Sequence, residues 1–190
     1  MKILVGISGS IGVLGIPPYL VNLQAEKEVE EIRIIMTPTA ARFVNPQALE
    51  ALLRRPVYVD PWTDGRPTYS PPELVKDVDV YLIAPASATT LSRCATGSGE
   101  TLLAHCYLCH RGPAAFAPSM SAEMWEHPAV LRNLEQLKAD GASILPAGAS
   151  YSAATGKIQK TSVCSYKEMW PILKSLAGKK SPPEGSQKDA

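Results

Sequence analysis

Long apolar runs and clusters of basic residues are absent from the sequence. No run approaches the roughly 20 apolar residues of a transmembrane helix, and the apolar start at residues 3–5 is too short for a signal peptide. Lysine and arginine are scattered, and the formal net charge is only +1, so no segment could track a phosphate backbone. We therefore expect a soluble, cytoplasmic protein that associates with neither a membrane nor nucleic acid.

Histidine and cysteine are scarce, which limits the metal sites that the chain could form. The full set is His105, His110, His127, Cys94, Cys106, Cys109 and Cys164. Cys106 and Cys109 have the C-x-x-C spacing of redox and zinc sites, but no second pair is spaced to complete four zinc ligands. Both lie in an apolar helical stretch. We expect free thiols in a reducing compartment, packed in a buried helix, and no metal.

Short apolar runs alternate with helical patterns along the chain. Strands are predicted at 3–5, 32–36, 78–84, 114–117 and 142–145, and helices at 17–27, 38–53, 88–93, 99–110, 128–140 and 166–176. This alternation predicts an α/β fold with one doubly wound parallel sheet, Rossmann-like or flavodoxin-like, and helices on both faces. The 190 residues predict one domain over 1–178 and a disordered tail over 179–190, which has almost nothing apolar to bury.

Two segments have neither a strand nor a helix pattern. Residues 60–72 are rich in proline, and residues 147–161 are small and polar with two glycines. Both adjoin predicted strands, so both can reach the carboxyl edge of the sheet, where ligands bind in this architecture.

The first strand runs into a glycine-rich turn at residues 6–12, Gly-Ile-Ser-Gly-Ser-Ile-Gly. Small residues let the backbone approach a phosphate, and the following helix start offers free N–H groups. The spacing is G-x-x-G-x-x-G, and the second strand ends at Met36-Thr37 without the acid that a nicotinamide-binding domain carries. A mononucleotide therefore fits better than NAD, and a tight turn that binds nothing is the alternative.

Two further motifs follow later strands. Residues 85–90 read Pro-Ala-Ser-Ala-Thr-Thr, and residues 118–125 read Pro-Ser-Met-Ser-Ala-Glu-Met-Trp. Methionine and tryptophan at helical spacing are by themselves more often core than site. With the first turn, however, residues 2–160 resemble the homo-oligomeric flavin-containing cysteine decarboxylases. The two segments are similar to that family's P-A-S-A-N-T and P-x-M-N-x-x-M-W motifs, departing at Thr89 and Ser121.

The resemblance implies a cofactor, an assembly and a set of site residues. It implies FMN bound at the sheet edge, in a homotrimer that can assemble further into a dodecamer. The cofactor-binding residues that it implies are Ser8, Gly9, Ser10, Ile11, Thr37, Thr39, Phe43, Ser87 and Thr90. It places Met120 and Ser121 at the catalytic centre. We interpret the loop 147–161 as a substrate clamp formed by Ser150, Tyr151, Thr155, Gly156 and Lys157, with an ordinary surface loop as the alternative.

Three positions depart from the family pattern. The family histidine, fourteen residues before the first motif, corresponds to Pro71, and proline is neither acid nor base. Tyr69 and Asp64 are near enough in sequence to substitute. Ser121 replaces an asparagine that helps to bind the substrate carboxylate. The clamp loop lacks the cysteine with which the phosphopantothenoylcysteine enzymes reduce their enethiol intermediate.

The missing loop cysteine favours a peptide-modifying enzyme over coenzyme A biosynthesis, whereas the missing histidine and asparagine favour an altered active site or no catalysis. The resemblance implies FMN-dependent oxidative decarboxylation of the C-terminal cysteine of a ribosomally made precursor peptide, which gives an enethiol for aminovinyl-cysteine formation. It also implies biosynthetic partner enzymes. Taking a hydride from the β-carbon gives a thioaldehyde, which accepts the electrons that CO₂ leaves behind. A non-catalytic FMN-binding or regulatory subunit and a phosphopantothenoylcysteine decarboxylase are the alternatives. Flavin prenyl transfer is less well matched.

Overall fold

The computed structural model describes residues 1–60, 69–151 and 155–179. Its centre is one parallel sheet of six strands in the order β3-β2-β1-β4-β5-β6. The strands are β1 (Lys2–Ile7), β2 (Glu31–Met36), β3 (Val57–Val59), β4 (Val80–Ala86), β5 (Ala114–Pro118) and β6 (Ser143–Ile144). This order and the helices on both faces confirm the predicted doubly wound α/β fold.

Helices connect the strands, and many begin at a proline or at a hydroxyl-bearing cap. They are α1 (Ile16–Ala25), α2 (Pro38–Ala41), α3 (Pro46–Leu53), α4 (Pro71–Val75), α5 (Ala88–Ala95), α6 (Leu102–Cys109), α7 (Ala122–Trp125), α8 (Pro128–Ala139) and α9 (Tyr166–Ala177). A 3-10 helix (Ile11–Gly15) precedes α1. Proline suits the first turn of a helix because no intrahelical N–H bond is lost there.

The sheet separates two hydrophobic cores, because successive side chains of a strand point to opposite faces. In β1, Ile3 and Val5 belong to the core beneath α1, α3 and α9, whereas Leu4 belongs to the core beneath α4, α5, α6 and α8. Strands buried on both faces need apolar residues at nearly every position, which explains the continuous apolar runs in the sequence.

The predicted helix 38–53 is wrong, because two helices occupy it. Asn45 and Pro46 make the break: the Asn45 side chain accepts a hydrogen bond from the N–H of Gln47, and Pro46 opens α3. A residue before proline is disfavoured in the helical conformation, so Asn45 cannot continue the preceding helix.

The interpretation of 60–72 as neither strand nor helix is wrong at its end, where Pro71 opens α4. Pro71-Pro72 occupies the first turn of α4 as Pro17-Pro18 does in α1. The strand β3, which precedes this segment, was also not predicted. Residues 61–68, with Asp64, lie outside the described residues.

The second segment read as irregular, 147–161, contains an antiparallel hairpin. Its strands are β7 (Ala147–Tyr151) and β8 (Ile158–Val163). Small and polar residues have weak strand signals, so the pairing depends on contacts that the local sequence does not reveal. No helix among the described residues combines the length and apolarity that crossing a bilayer requires. Apart from Lys179, the predicted tail 179–190 lies outside the described ranges.

Candidate functional site at the carboxyl edge of the sheet

The connections of the sheet diverge between β1 and β4, which are adjacent strands. From β1 the chain proceeds outward through β2 and β3, and then crosses to β4, β5 and β6 on the other side. In open α/β sheets the crevice at such a switch point, outside the carboxyl ends of the strands, is where ligands bind. The segments that follow β1, β2, β4 and β5 therefore border the candidate site.

Ser8, directly after β1, joins the two strands at the switch point. Its hydroxyl donates to the carbonyl oxygen of Pro85 at 2.7 Å and accepts the N–H of Ser87 at 2.7 Å. Its own N–H reaches the same carbonyl oxygen at 3.2 Å. Ser8 therefore lies at the carboxyl edge of the sheet, where it was predicted. It is fully buried, and its hydroxyl is already hydrogen-bonded within the protein.

Ser10 differs from Ser8 in having an uncommitted hydroxyl. It precedes the 3-10 helix, and its carbonyl oxygen accepts the N–H of Val13 at 3.0 Å. Its Oγ is buried and has no hydrogen-bond partner. A buried hydroxyl without a partner is uncommon in folded proteins, and it marks a place where a bound group could supply the missing bond.

The glycines of the first turn allow close approach of neighbouring segments. A Cβ on Gly9 would lie 2.4 Å from Cγ2 of Thr39, and one on Gly12 would lie 2.6 Å from Oγ of Ser119. Both distances are shorter than any normal contact between non-bonded atoms, so a Cβ at either glycine would clash with its neighbour. The turn is therefore packed between the segments that follow β2 and β5, and a side chain at either position would force its neighbour to shift.

The predicted residues after β2 border the turn on one side. The N–H of Thr37 donates to the carbonyl oxygen of Ile7 at 3.0 Å, and the Thr37 hydroxyl caps α2 by accepting the N–H of Ala40 at 3.2 Å. Thr39 places its methyl group against Gly9. The ring of Phe43 is 42% exposed and is the large apolar side chain that this segment offers to a ligand.

The predicted residues after β4 are also a helix start. Ser87 accepts the N–H of Thr90 at 3.3 Å, and the two hydroxyl oxygens are 3.1 Å apart. Thr90 is buried. This arrangement caps α5, so the two hydroxyls stabilise the helix in addition to any contact with a ligand.

The motif after β5 begins α7. The Ser121 hydroxyl accepts the N–H of Met124 at 3.4 Å. Hydrogen bonding to the Glu123 backbone N–H, and secondly to Ser121, lowers the pKa of the exposed Glu123 carboxyl. The Ser121 hydroxyl therefore serves as the cap of α7. The N–H of Met120 donates to the carbonyl oxygen of Thr161 in β8 at 3.1 Å.

The hairpin lies over the ends of β4 and β5 and against α7. Of the predicted clamp residues, Ser150 and Tyr151 end β7, while Thr155, Gly156 and Lys157 form the described part of the turn, where Gly156 has φ +67°. Tyr151 and Lys157 are exposed. Residues 152–154 lie outside the described residues. The five residues therefore lie on the hairpin that approaches the site, and the clamp stays a prediction.

Pro71, at the position of the family histidine, opens α4 and accepts a weak hydrogen bond from the Cys106 thiol at 3.8 Å. Burial raises the pKa of Cys106 to about 12. The Tyr69 hydroxyl donates to the carbonyl oxygen of Val59 at 2.5 Å. Within the described residues, no cluster of three or more His, Cys, Asp or Glu could hold a metal ion.

Two residues of this edge were not found from the sequence. Ser119 is buried and donates its N–H to the carbonyl oxygen of Ala86 at 3.0 Å, and its hydroxyl lies 3.5 Å from that of Ser162 in β8. Asp60 is buried at the end of β3 and accepts the N–H of Leu102 at the start of α6 at 3.1 Å. Ser119 occupied a variable motif position, and Asp60 followed a strand that was not predicted.

A cavity of about 380 Å³ lies at the opposite edge of the sheet. It lies between the ends of α6 and α8, and His110 lines it. The Nε2–H of His110 donates to the carbonyl oxygen of Pro113 at 3.2 Å, and burial lowers the pKa of the imidazole. None of the predicted site residues lines this cavity.

The chain is similar to curated proteins and to solved structures. It is 36% identical over 140 residues to mersacidin decarboxylase of Bacillus sp., covering 74% of this chain and 70% of that protein. It is 35% identical over 157 residues to the coenzyme A biosynthesis bifunctional protein CoaBC of Mycobacterium tuberculosis, covering 83% of this chain and 35% of that protein. The chain thus spans about a third of the length of CoaBC.

The fold is similar to the crystal structure of SpaF, from the FMN-dependent cysteine decarboxylases. The TM-score is 0.77 at 29% sequence identity, and the alignment covers 94% of this chain and 96% of that one. The Flavoprotein family model matches residues 1–169. These findings confirm the family that the motifs predict: the chain belongs to the Flavoprotein family, with cysteine decarboxylases among its relatives.

Proposed function

We propose that this protein binds FMN at the switch point between β1 and β4 and oxidatively decarboxylates the C-terminal cysteine of a precursor peptide. The observation that carries the proposal is the buried, unpartnered hydroxyl of Ser10 in the turn after β1. The similarity to mersacidin decarboxylase and to SpaF supports the reaction class.

The residues of this edge fit a flavin mononucleotide. Ser10 offers a free donor to the phosphate in a turn of small residues, and Ile11 and Phe43 offer exposed apolar side chains to a flat ring. When bound, oxidised FMN supplies a two-electron acceptor, which an unmodified peptide lacks. The protein's part is to hold the cysteine against the ring and to shield the reacting groups from water.

The oxidative course is supported by the state of the thiol that follows the hairpin. Residues 153–157 contain no cysteine, and the next one, Cys164, is buried. Burial raises its pKa to about 11, so it is a protonated thiol at neutral pH and is shielded from a substrate. Because the hairpin offers no accessible thiol to reduce the enethiol, we expect the enethiol to be released as the product. Phosphopantothenoylcysteine decarboxylation is correspondingly less well supported.

A non-catalytic FMN-binding subunit is the second candidate, and Pro71 favours it. Pro71 has no acid–base group, the Tyr69 hydroxyl beside it is bonded to Val59, and the Cys106 thiol has a strongly raised pKa. Such a subunit would complete or regulate the site of a partner biosynthetic enzyme. It predicts bound flavin without turnover by the isolated protein.

We also propose a homo-oligomer, with a trimer as the expected unit. Ile11 and Leu14 are 51% and 56% exposed on the 3-10 helix beside the first turn. Apolar side chains next to a ligand site are suited to contact with a second subunit. Light scattering of the flavin-loaded protein measures the mass directly, and a monomer at micromolar concentration contradicts this assembly.

The test of the function uses purified protein loaded with FMN, synthetic peptides ending in cysteine, and control peptides ending in serine. We expect absorption near about 450 nm and a loss of about 46 mass units, CO₂ plus two hydrogens, from the cysteine peptides alone. Protein that takes up no FMN contradicts the whole proposal. Bound flavin with no mass loss leaves the non-catalytic candidate, and turnover by the isolated protein excludes it.

A further inference from the structure

The side chain of Gln159 in β8 has an amide oxygen that is buried and has no hydrogen-bond partner. Among the residues that the structure describes, only Ser10 and Gln159 have a buried side-chain polar atom of this kind. Both lie on segments at the carboxyl edge of the sheet. An unpaired buried acceptor is costly in a folded protein, so Gln159 indicates a place where a donor binds.

The contacts of β8 bring the strand that carries Gln159 to the exit of β5, which borders the proposed substrate site. The carbonyl oxygen of Thr161 accepts the N–H of Met120 at the exit of β5. Gln159 precedes Thr161 by two residues, and two residues of extended strand span roughly 7 Å, so Gln159 lies close to this attachment point. Its main-chain partner in the hairpin is Ser150, one of the predicted clamp residues.

Ser121, at the start of α7, lacks the amide group that Gln159 has. Its hydroxyl accepts the N–H of Met124 and caps the helix. A primary amide combines an acceptor oxygen with two N–H donors. Gln159 is an amide on the hairpin that packs against α7.

We propose that Gln159 recognises the C-terminal residue of the peptide substrate, with its Oε1 accepting the backbone N–H of that residue. This inference rests on the proposed function. The substrate carboxylate cannot pair with Oε1, because both are acceptors at neutral pH, whereas the adjacent backbone N–H is a donor of the right kind. The same amide has N–H groups that can donate to the carboxylate.

The test measures peptide binding without turnover. Flavin-loaded wild type and Gln159→Leu are titrated with a fluorescent peptide ending in serine in place of cysteine, and with the same peptide N-methylated at its last residue. We expect Gln159→Leu to bind the first peptide about tenfold or more weakly. Wild type should bind the N-methyl peptide more weakly than the unmodified peptide by a similar factor. Gln159→Leu should bind the two peptides with equal affinity.

Gln136→Leu is the matched control, because Gln136 is exposed on α8 and bonds to Asp140. It should bind both peptides like wild type. Equal affinity of wild type and Gln159→Leu, with the flavin band and thermal midpoint unchanged, overturns the role of Gln159 and leaves the proposed function intact. If wild type binds neither flavin nor either peptide, both the role of Gln159 and the proposed function are wrong.

Discussion

Ser8 and Pro85 join the ends of two neighbouring strands at the centre of the sheet. The Ser8 hydroxyl donates to the Pro85 carbonyl oxygen at 2.7 Å while accepting the N–H of Ser87, and it is inaccessible to solvent. Ser10, two residues later, has a hydroxyl that is equally hidden but bonds to nothing. The two serines of one turn therefore have different roles, and they can be separated by experiment.

Ser8→Ala should destabilise the fold, whereas Ser10→Ala should not. Removing the Ser8 hydroxyl leaves the N–H of Ser87 without its partner, which costs about 1–3 kcal/mol. Loss of the Ser10 hydroxyl should leave stability unchanged or raise it, because it removes a buried polar group that has no partner. Urea unfolding of the flavin-free proteins measures both values. The assignment of roles is wrong if Ser10→Ala is the less stable variant.

Ser10→Ala should weaken FMN binding by about tenfold or more, because a hydrogen bond to a charged phosphate is stronger than one between neutral groups. Quenching of flavin fluorescence during titration measures the dissociation constant. Ser175→Ala, an exposed position on α9, is the control and should bind FMN like wild type. An unchanged affinity for Ser10→Ala would show that its hydroxyl is not a ligand contact.

Gly12→Ala should reduce stability, and Ser119→Ala should partly restore it. A Cβ at Gly12 lies 2.6 Å from the Ser119 Oγ and 3.3 Å from its Cβ, so removing the hydroxyl relieves the closer clash. Overpacking of this kind costs about 1–3 kcal/mol. Unfolding free energies of both single variants and the double variant form a cycle. Additive effects contradict direct contact between these positions.

Gly148→Ala should disturb the hairpin without preventing flavin binding. A Cβ there lies 2.1 Å from the Val163 carbonyl oxygen, whereas a Cβ on Gly15 meets nothing within 4 Å. Limited proteolysis of flavin-loaded Gly148→Ala should cut the hairpin faster than in wild type or Gly15→Ala. Peptide turnover should fall with it. Full turnover by a protein with a disrupted hairpin rules out the clamp role.

Three of the four cysteines should resist alkylation in the native protein. Burial raises the pKa of Cys94 and Cys106 to about 12 and that of Cys164 to about 11, so none is a thiolate at pH 8. Intact-mass measurement should show at most one adduct, at half-buried Cys109, and four adducts in urea. Rapid native labelling of Cys106 would contradict its packing in α6.

The same thiols give stability a pH dependence. Their pKa in the folded state is raised above the ordinary 9.0, so the folded protein holds these protons more tightly than the unfolded chain. Their contribution is fully present below pH 9 and is lost as the pH rises toward about 12. Cys94→Ala should show a shallower loss of unfolding free energy above pH 9 than wild type.

The parallel sheet could be predicted because its buried strands are continuous apolar runs. Strands such as β1 and β4 are buried on both faces, and this leaves a strong local signal. The three residues of β3 and the small residues of β7 leave a weak one, because their positions depend on pairing with distant segments. Pro71 shows a different failure: the same residue type can end one helix and begin the next.

The location of the candidate residues could be predicted from the sequence, but their hydrogen-bond partners could not. The sequence places Ser8, Ser10, Thr37 and Ser87 at one edge, and the structure agrees. It could not show that the hydroxyls of Ser8, Thr37 and Ser87 are already bonded within the protein, because burial and hydrogen-bond partners are properties of the folded chain. Gln159 had no local signal and was visible only as an unpaired buried atom.

The helix caps at Thr37, Ser87 and Ser121 can be exchanged for other capping residues without loss of the helices that they begin. Serine, threonine, asparagine and aspartate are all good residues at the start of a helix. Exchange among them at position 121 therefore leaves α7 formed and the backbone path unchanged. A chain of this architecture can alter what its rim recognises by single substitutions at little thermodynamic risk, so selectivity can change faster than the scaffold beneath it.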